Sequence, residues 1–244
     1  MARVAVIGGS GAAFIPVELN ADSPAINEWG GASAALTHWS AHGHDVVFLP
    51  RHGVGRTIAP HAINYRANMQ VISDFGADWV LALNTVGGIS EEAAPGQLVV
   101  PDQLVDYTWG RAHSYYADSA EGIEFIDFTM PYSAKLRQNL ISAAARIGVA
   151  PVPEGTYGAT QGPRLETAAE IDRMEQDGCQ IVGMTGMPEA ALARELTLEY
   201  ACLAIVVNQA AGRGNNDMHA EIGQYLEQGM AQAVRVLEEM LKSL

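Results

Sequence analysis

The sequence has few cysteines and few basic residues, and each shortage excludes a class of protein. Cys179 and Cys202 are the only cysteines, and their surroundings show no metal-ligand spacing. Neither a disulfide framework nor a structural zinc site is expected, and both thiols should be buried in a reducing compartment. Lys and Arg number 14 against 28 Asp and Glu, a net charge of -14. This charge repels phosphate backbones and anionic lipid, so we expect no nucleic-acid or membrane partner.

The chain also lacks long apolar runs, linkers and repeats. The apolar run near the N-terminus, residues 4–7, is far too short for a signal peptide or a membrane span, which predicts a cytoplasmic protein. No Ser/Gly/Pro-rich stretch or charged block divides the sequence, so we expect a single domain over residues 1–244. Because 48% of the residues are hydrophobic and 17% are charged, the chain has the composition of a globular protein.

Short, continuous apolar runs predict strands that are covered on both faces. They span residues 4–7, 46–49, 79–83, 98–100, 181–184 and 203–207. Between them, apolar residues recur every three or four positions and predict helices. One helix ends at Gly76, another runs from the N-cap Ser133 to Gly148, a third begins near Pro188, and a long one includes residues 222–241. This alternation predicts an α/β fold with a mixed or mostly parallel sheet flanked by helices.

Glycines and hydroxyl side chains follow three of the predicted strands, where α/β sheets bind their ligands. The first strand runs into Gly8-Gly9-Ser10-Gly11, whose N–H groups and hydroxyl suit an anion. As a dinucleotide fingerprint this segment has Phe14 at the third glycine, and as a nucleophile elbow it has Ala12 at the last one. An ordinary glycine turn is the other alternative. Asn84-Thr85 and Met184-Thr185-Gly186 repeat the pattern at two more strand ends.

A cation follows the second predicted strand. Arg51 carries a rigid fork of donors that suits phosphate, and His52 comes next. The alternative is a surface arginine beside a histidine whose hydrogen bonds are already made. Because this arginine and the three turns converge at one edge of the sheet, we favour a phosphate site.

Two further side chains suit a heteroaromatic ligand. Glu166 lies among small residues before a helix, and Asn208 ends the last predicted strand. An amide offers both a donor and an acceptor, whereas an ionised carboxylate offers acceptors alone, so the pair can recognise the edge of a base. The alternatives are a helix-start acid for Glu166 and a turn former for Asn208. His42 and His44 have a ligand-like separation on a predicted strand, but no third ligand is evident and we expect no metal site.

Five motifs in order carry a family resemblance. They are Gly8-Gly9-Ser10-Gly11, Arg51-His52-Gly53, Asn64-Tyr65-Arg66-Ala67-Asn68, Gly162-Pro163-Arg164-Leu165-Glu166-Thr167 and Met184-Thr185-Gly186-Met187-Pro188-Glu189. The chain resembles the trimeric purine nucleoside phosphorylase and methylthioadenosine phosphorylase family, especially its shorter bacterial methylthioinosine phosphorylase-like members. The resemblance implies that phosphate attacks the anomeric carbon of a purine nucleoside and releases the free base. It also implies a homotrimer, inorganic phosphate as co-substrate and no metal or organic cofactor.

The resemblance further implies roles for individual residues. Phosphate would be held by Ser10, Arg51, His52, Asn84, Thr85 and Thr185, the ribose by Met184, and the base by Val86, Gly87, Leu165, Glu166 and Asn208. Asn208 would be the catalytic residue, which hydrogen-bonds purine N7. The pocket for the 5′ substituent would comprise Met218, His219 and Ile222, with Phe125 supplied by a neighbouring subunit. Arg56 stands where relatives often have a histidine, and its role is left open.

Asn208 and Glu166 favour 6-oxopurines over adenine. Adenine-preferring members of the family have Asp and Ser at these positions. An asparagine donates to N7 at any pH, and an ionised Glu166 accepts from the N1–H of hypoxanthine but faces a lone pair on N1 of adenine. We therefore expect a 5′-methylthio purine nucleoside phosphorylase. A phosphorylase of inosine or guanosine is the first alternative, because His219 would suit a 5′-hydroxyl. An NAD-dependent oxidoreductase and a non-catalytic nucleoside-binding protein are the others.

Overall fold

A mixed sheet of nine strands lies at the centre of the part of the chain that the structure describes. The structure is a computed structural model that describes residues 1–15, 17–116, 122–214 and 218–244, with the backbone alone for residues 12 and 218–220. The strands are β1 (Arg3–Gly8), β2 (Ile26–Asn27), β3 (Gly30–Gly31), β4 (Thr37–Ala41), β5 (His44–Pro50), β6 (Trp79–Gly88), β7 (Leu98–Val99), β8 (Gln103–Asp106), β9 (Thr156–Ala159), β10 (Ile181–Gly183) and β11 (Glu199–Gln209). β2 and β3 pair with each other outside the large sheet.

The strand order places several carboxyl ends along one edge of the sheet. β5, β1, β6 and β11 are parallel neighbours in that order. β10 runs antiparallel to β6 and pairs only with the last two residues of β6, Gly87 and Gly88. β10 therefore brings the chain back alongside the end of β6. β4 and β7 add antiparallel edges, and β8 and β9 continue the sheet beyond β10.

Helices cover both faces of this sheet. They are α1 (Tyr65–Phe75), α2 (Ala134–Arg146), α3 (Ala168–Gln176), α4 (Glu189–Glu195) and α5 (Met218–Lys242). α1 and α4 pack into one buried cluster, and α2 and α5 pack into another. Successive residues of β6 alternate between the two clusters, with Ala82 in the first and Leu81 and Leu83 in the second. This double coverage explains why the strands read as continuous apolar runs.

Local caps at Ser133 and Gly76 set two helix ends as the sequence predicted. The Ser133 side chain accepts from the Leu136 amide at 3.1 Å, and Gly76 ends α1 at a φ of 76°. The prediction of a helix that begins near Pro188 is confirmed, since Pro188 is the N-cap of α4. The Thr167 hydroxyl and the Glu170 carboxylate form a capping box at the start of α3.

The predicted α/β fold is confirmed, with differences at the edges of the sheet. All six predicted strands are present, but β4, β8 and β9 have mixed or weakly apolar sequences and gave no continuous run. The prediction that His42 and His44 share a strand is wrong, because His42 lies in the β4–β5 turn at a φ of 52°. Cys179 and Cys202 are both buried, as expected. Within the described ranges, no helix has the length and apolarity needed to cross a bilayer.

Candidate active site

One cavity of about 500 Å³ collects most of the predicted site residues at the strand ends. Those that line it are Ser10, Arg51, His52, Asn84, Thr85, Val86, Gly87, Leu165, Glu166, Met184, Thr185, Asn208 and Ile222. Arg56 lines it as well. Phe125 does not; its side chain is 93% exposed. Met218 and His219 lie outside the residues whose side chains are described, so their predicted roles stay predictions.

The end of β1 is pressed against the Arg51-His52 turn. A side chain at Gly9 would place its Cβ 3.0 Å from His52 Cδ2 and 3.5 Å from Arg51 Nη1, so only glycine fits comfortably. Gly9 thereby keeps Ser10 close to both side chains. The Ser10 hydroxyl accepts a hydrogen bond from Arg56 Nη2 at 3.0 Å. These four side chains form one polar corner of the cavity, which we call the Ser10 corner (Ser10, Arg51, His52 and Arg56).

Arg51 is a buried partner of Glu189 rather than a surface arginine. Its Nε lies 2.6 Å from Glu189 Oε2, and its Nη2 lies 2.8 Å from Glu189 Oε1 and 3.0 Å from Asn84 Oδ1. The two residues are 1% and 0% exposed. Burial is the largest single influence and lowers the Arg51 pKa, but the contacts with Glu189 together outweigh it, so the pKa lies above its ordinary value. The surface alternative is therefore wrong.

This pairing leaves Arg51 little capacity for a ligand. A guanidinium has five N–H groups. Arg51 Nε and Nη2 are engaged with Glu189 and Asn84, and weaker bonds of 3.4 Å reach the carbonyl oxygens of Ile7 and Leu83. One N–H of Nη1, near Gly9, is left for the cavity. Contact between Arg51 and phosphate stays a prediction, and it is limited to that single donor.

His52 presents an acceptor to the cavity. Its Nδ1 lies 2.8 Å from the carbonyl oxygen of Ile58, and because a carbonyl only accepts, Nδ1 must carry the proton. Burial is the main cause that lowers the pKa of His52, which favours the neutral ring. The neutral ring then has a lone pair on Nε2, which suits the hydroxyl of a protonated phosphate.

The predicted base-binding side chains are held by their neighbours. The Thr160 hydroxyl donates to Glu166 Oε1 at 2.6 Å, and Glu166 precedes the N-cap of α3. Asn208 is 6% exposed and lies where a β-bulge shifts the register of β11 against β6. Its Nδ2 donates to the Gln209 carbonyl oxygen at 2.7 Å, so one N–H and Oδ1 are left for a ligand. The turn-former alternative for Asn208 is wrong, because the residue lies within a strand.

Arg111 is a site-supporting residue that sequence reasoning missed. Its two Nη atoms donate to the backbone oxygens of Thr160, Gln161, Met184 and Met187 at 2.6–3.1 Å. Its other partners are the Tyr65 hydroxyl and Gln161 Oε1, both at 3.1 Å. Arg111 thus ties the Glu166 side of the cavity to the Met184 side. No sequence pattern singles it out, since it stands in a loop between predicted elements.

One wall of the cavity is apolar. Ile222 and Leu226 lie one helical turn apart on α5, and both line the cavity together with Val207 and Ala211. Residues four apart project from the same face of a helix, so α5 presents a continuous hydrocarbon surface here.

Nearly the whole chain matches a known family. Residues 3–242 match the model of the Phosphorylase superfamily. The chain belongs to this superfamily. The phosphorylase is 47% identical, over the full length of both chains, to a protein of Pseudomonas syringae pv. tomato named "Probable S-methyl-5′-thioinosine phosphorylase". It is 38% identical to a "6-oxopurine nucleoside phosphorylase" of Pyrococcus furiosus, over 97% of this chain and 91% of the relative.

Solved structures agree with this assignment. The phosphorylase aligns with the methylthioadenosine phosphorylase from Schistosoma mansoni in complex with tubercidin at a TM-score of 0.91 and 29% identity. The alignment covers 99% of this chain and 91% of that one. The family and the fold that the five motifs predicted are therefore confirmed.

Proposed function

We propose that this phosphorylase is a pentosyltransferase that cleaves 5′-methylthio purine nucleosides with inorganic phosphate, and that it favours 6-oxopurines. The products are the free purine base and 5-methylthioribose 1-phosphate. The observation that carries the proposal is a single cavity lined both by the Ser10 corner and by Asn208 and Glu166. A nucleoside fits between an anion site and a base-reading site, and this places its anomeric carbon between phosphate and base.

The geometry supports a mechanism of positioning and charge stabilisation. Phosphate in the Ser10 corner attacks the anomeric carbon as the bond to the base breaks, and positive charge develops on the ribosyl group between them. The free N–H of Asn208 donates to N7 of the departing base, which stabilises the negative charge that develops there. Met184 packs against the sugar. No step requires a metal or an organic cofactor, and we propose that none is used.

Two observations support the choice of substrate. Glu166 has one oxygen engaged by Thr160, and the other has no partner among the described residues, so it can accept from the N1–H of a 6-oxopurine. The Ile222 and Leu226 wall suits a methylthio group better than a hydroxyl, because a hydroxyl there would lose its hydrogen bonds to water. The names of two relatives support the same choice, since one is named an S-methyl-5′-thioinosine phosphorylase and the other a 6-oxopurine nucleoside phosphorylase.

The second candidate is a purine nucleoside phosphorylase of inosine or guanosine. The relative in Pyrococcus furiosus favours it, and so would a hydrogen bond from His219 to a 5′-hydroxyl. We also propose a homotrimer in which the exposed Phe125 completes the 5′ pocket of a neighbouring subunit. A cytoplasmic location stays a prediction.

A panel of four nucleosides tests the function. The protein is incubated with methylthioinosine, methylthioadenosine, inosine and adenosine, each with and without inorganic phosphate, and free base is measured. We expect phosphate-dependent release, fastest from methylthioinosine. Equal or faster release from inosine would support the second candidate. Release that continues unchanged without phosphate would indicate a hydrolase and contradict both.

A further inference from the structure

Arg56 occupies a tight turn at the mouth of the cavity. Gly53 and Gly55 have φ angles of 76° and 85°, and Arg56 itself has a φ of 57°. A glycine adopts this left-handed conformation readily, whereas an arginine is disfavoured in it. The backbone alone therefore gives no reason for an arginine at this position, and the reason has to be sought in what its side chain contacts.

The Arg56 side chain is aimed into the Ser10 corner. Its Nη2 donates to Ser10 Oγ at 3.0 Å, and the residue lines the cavity although it is exposed. Its positive charge also contributes, after the larger effects of burial and of Arg51, to the lowered pKa of His52. The remaining N–H groups of Arg56 have no partner among the described residues. They are available for an anion beside the Ser10 hydroxyl.

The charged side chains that line the cavity show why Arg56 matters for binding an anion. Arg51 is neutralised by Glu189, burial favours neutral His52, and Glu166 adds a negative charge at the base end. Among the described residues that line the cavity, Arg56 is the only cation without a carboxylate partner. In a protein with a net charge of -14, such a cation favours the binding of a phosphate dianion.

We propose that Arg56 is a phosphate-binding residue of this site, and that it supplies the unpaired positive charge that Arg51, which is paired with Glu189, does not supply. The guanidinium of Arg56 binds two oxygens of inorganic phosphate, in the paired geometry that arginine favours, next to the Ser10 hydroxyl. Glu189 and Asn84 engage Arg51 so that at most one of its N–H groups reaches the same ion. This assignment rests on the proposed function, because it names the residue that holds the co-substrate.

The test is calorimetric titration of inorganic phosphate into the full-length protein at fixed ionic strength. The main variant is Arg56→Gly, which removes the side chain and fits the positive φ, so the fold should be kept. Arg56→Lys retains the charge without the fork. The matched control is Thr197→Gly, since Thr197 is another exposed residue with a positive φ, 56°, and it does not line the cavity.

We expect Arg56→Gly to weaken phosphate binding by about 10- to 100-fold, with a parallel rise in the KM for phosphate and a nucleoside KM within about twofold of the parent. Arg56→Lys should lie between the parent and Arg56→Gly, and Thr197→Gly should match the parent. Phosphate binding by Arg56→Gly within about twofold of the parent would overturn the assignment, as would a parent protein that binds no phosphate.

The two proposals fail separately. If the parent binds phosphate through Arg56 but releases base without it, the proposed function is wrong and the anion site stands. If base release by the parent depends on phosphate but Arg56→Gly binds the ion normally, the function stands and the role of Arg56 is wrong.

Discussion

Replacing Arg51 with methionine would show whether this arginine works chiefly inside the protein. The variant removes two short bonds to Glu189, of 2.6 Å and 2.8 Å, and leaves a carboxylate that is 0% exposed. The Tyr200 hydroxyl, at 2.9 Å, would be its main remaining donor. Removing one partner of a buried ion pair costs about 3–5 kcal/mol, because the other charge stays buried and unpaired. We expect this loss of unfolding free energy whether or not phosphate is present.

A double-mutant cycle separates this pairing from a general loss of packing. Glu189→Gln alone should cost about 2–5 kcal/mol, because it leaves the Arg51 charge buried without its carboxylate. The double variant Arg51→Met/Glu189→Gln should lose less than the sum of the two single variants, by up to about 3 kcal/mol, because no uncompensated charge is left. Arg173→Ala is a control, since the Arg173–Asp177 pair is exposed and 3.7 Å long, and it should change stability little.

Urea unfolding followed by tryptophan fluorescence measures these free energies. All proteins are compared at one concentration, because association would make their stability depend on it. An Arg51→Met variant within about 1 kcal/mol of the parent, or strict additivity in the cycle, would refute the buried-pair argument. A stable Arg51→Met variant that lost only phosphate affinity would return Arg51 to the role of main phosphate ligand.

Three further substitutions test the rest of the site. Asn208→Asp places a carboxylate against the Gln209 carbonyl oxygen, which lies 2.7 Å from Nδ2 of the present asparagine. At neutral pH, activity on 6-oxopurine nucleosides should fall by about 10²-fold or more, and the ratio of activities on 6-amino and 6-oxo bases should shift toward the 6-amino bases. Unchanged base ratios in initial rates would contradict the N7 assignment. Arg111→Gln should raise the KM for nucleoside about tenfold and leave the KM for phosphate nearly unchanged, because Arg111 donates to the backbone oxygens of both Thr160 and Met184. Equal changes in the two KM values would contradict this. The pKa of His52 is lowered from its ordinary value of 6.5, so protonation of the ring opposes folding. The parent should therefore lose unfolding free energy relative to His52→Gln as the pH falls from about 6.5. Urea unfolding at several pH values measures this, and parallel stability curves for the two proteins would contradict it.

The sequence predicts the elements of this fold well where burial is two-sided. β1, β5, β6 and β11 are covered on both faces, so their continuous apolar runs are visible without the structure. β4 is different, because only its first residue is buried and it has a partner strand on one side only. The caps at Ser133 and Gly76 are local signals, which explains why those helix ends could be predicted.

The site is harder to predict, because its chemistry depends on contacts between distant residues. The motif at Arg51 indicates a cation at a strand end, but its charge is cancelled by Glu189, 138 positions later in the chain. No local pattern shows that pairing. In the sequence, Arg56 is only a position at which relatives often have a histidine. Its hydrogen bond to Ser10, which the structure shows, places it at the cavity. The sequence therefore predicts an anion site at this edge of the sheet without showing which of its cations lacks a carboxylate partner.

The separation of charge along the cavity places a specific demand on Asn208. In the function proposed above, Arg56 attracts phosphate and the Glu166 carboxylate accepts from the base; both residues line the cavity. The same carboxylate repels the negative charge that develops on the base as the glycosidic bond breaks, since like charges at close range oppose each other. A donor must therefore meet the base at N7, on a side away from Glu166. In the proposed function Asn208, which lies at the register shift of β11 and lines the cavity, supplies that donor, so the β-bulge would serve catalysis.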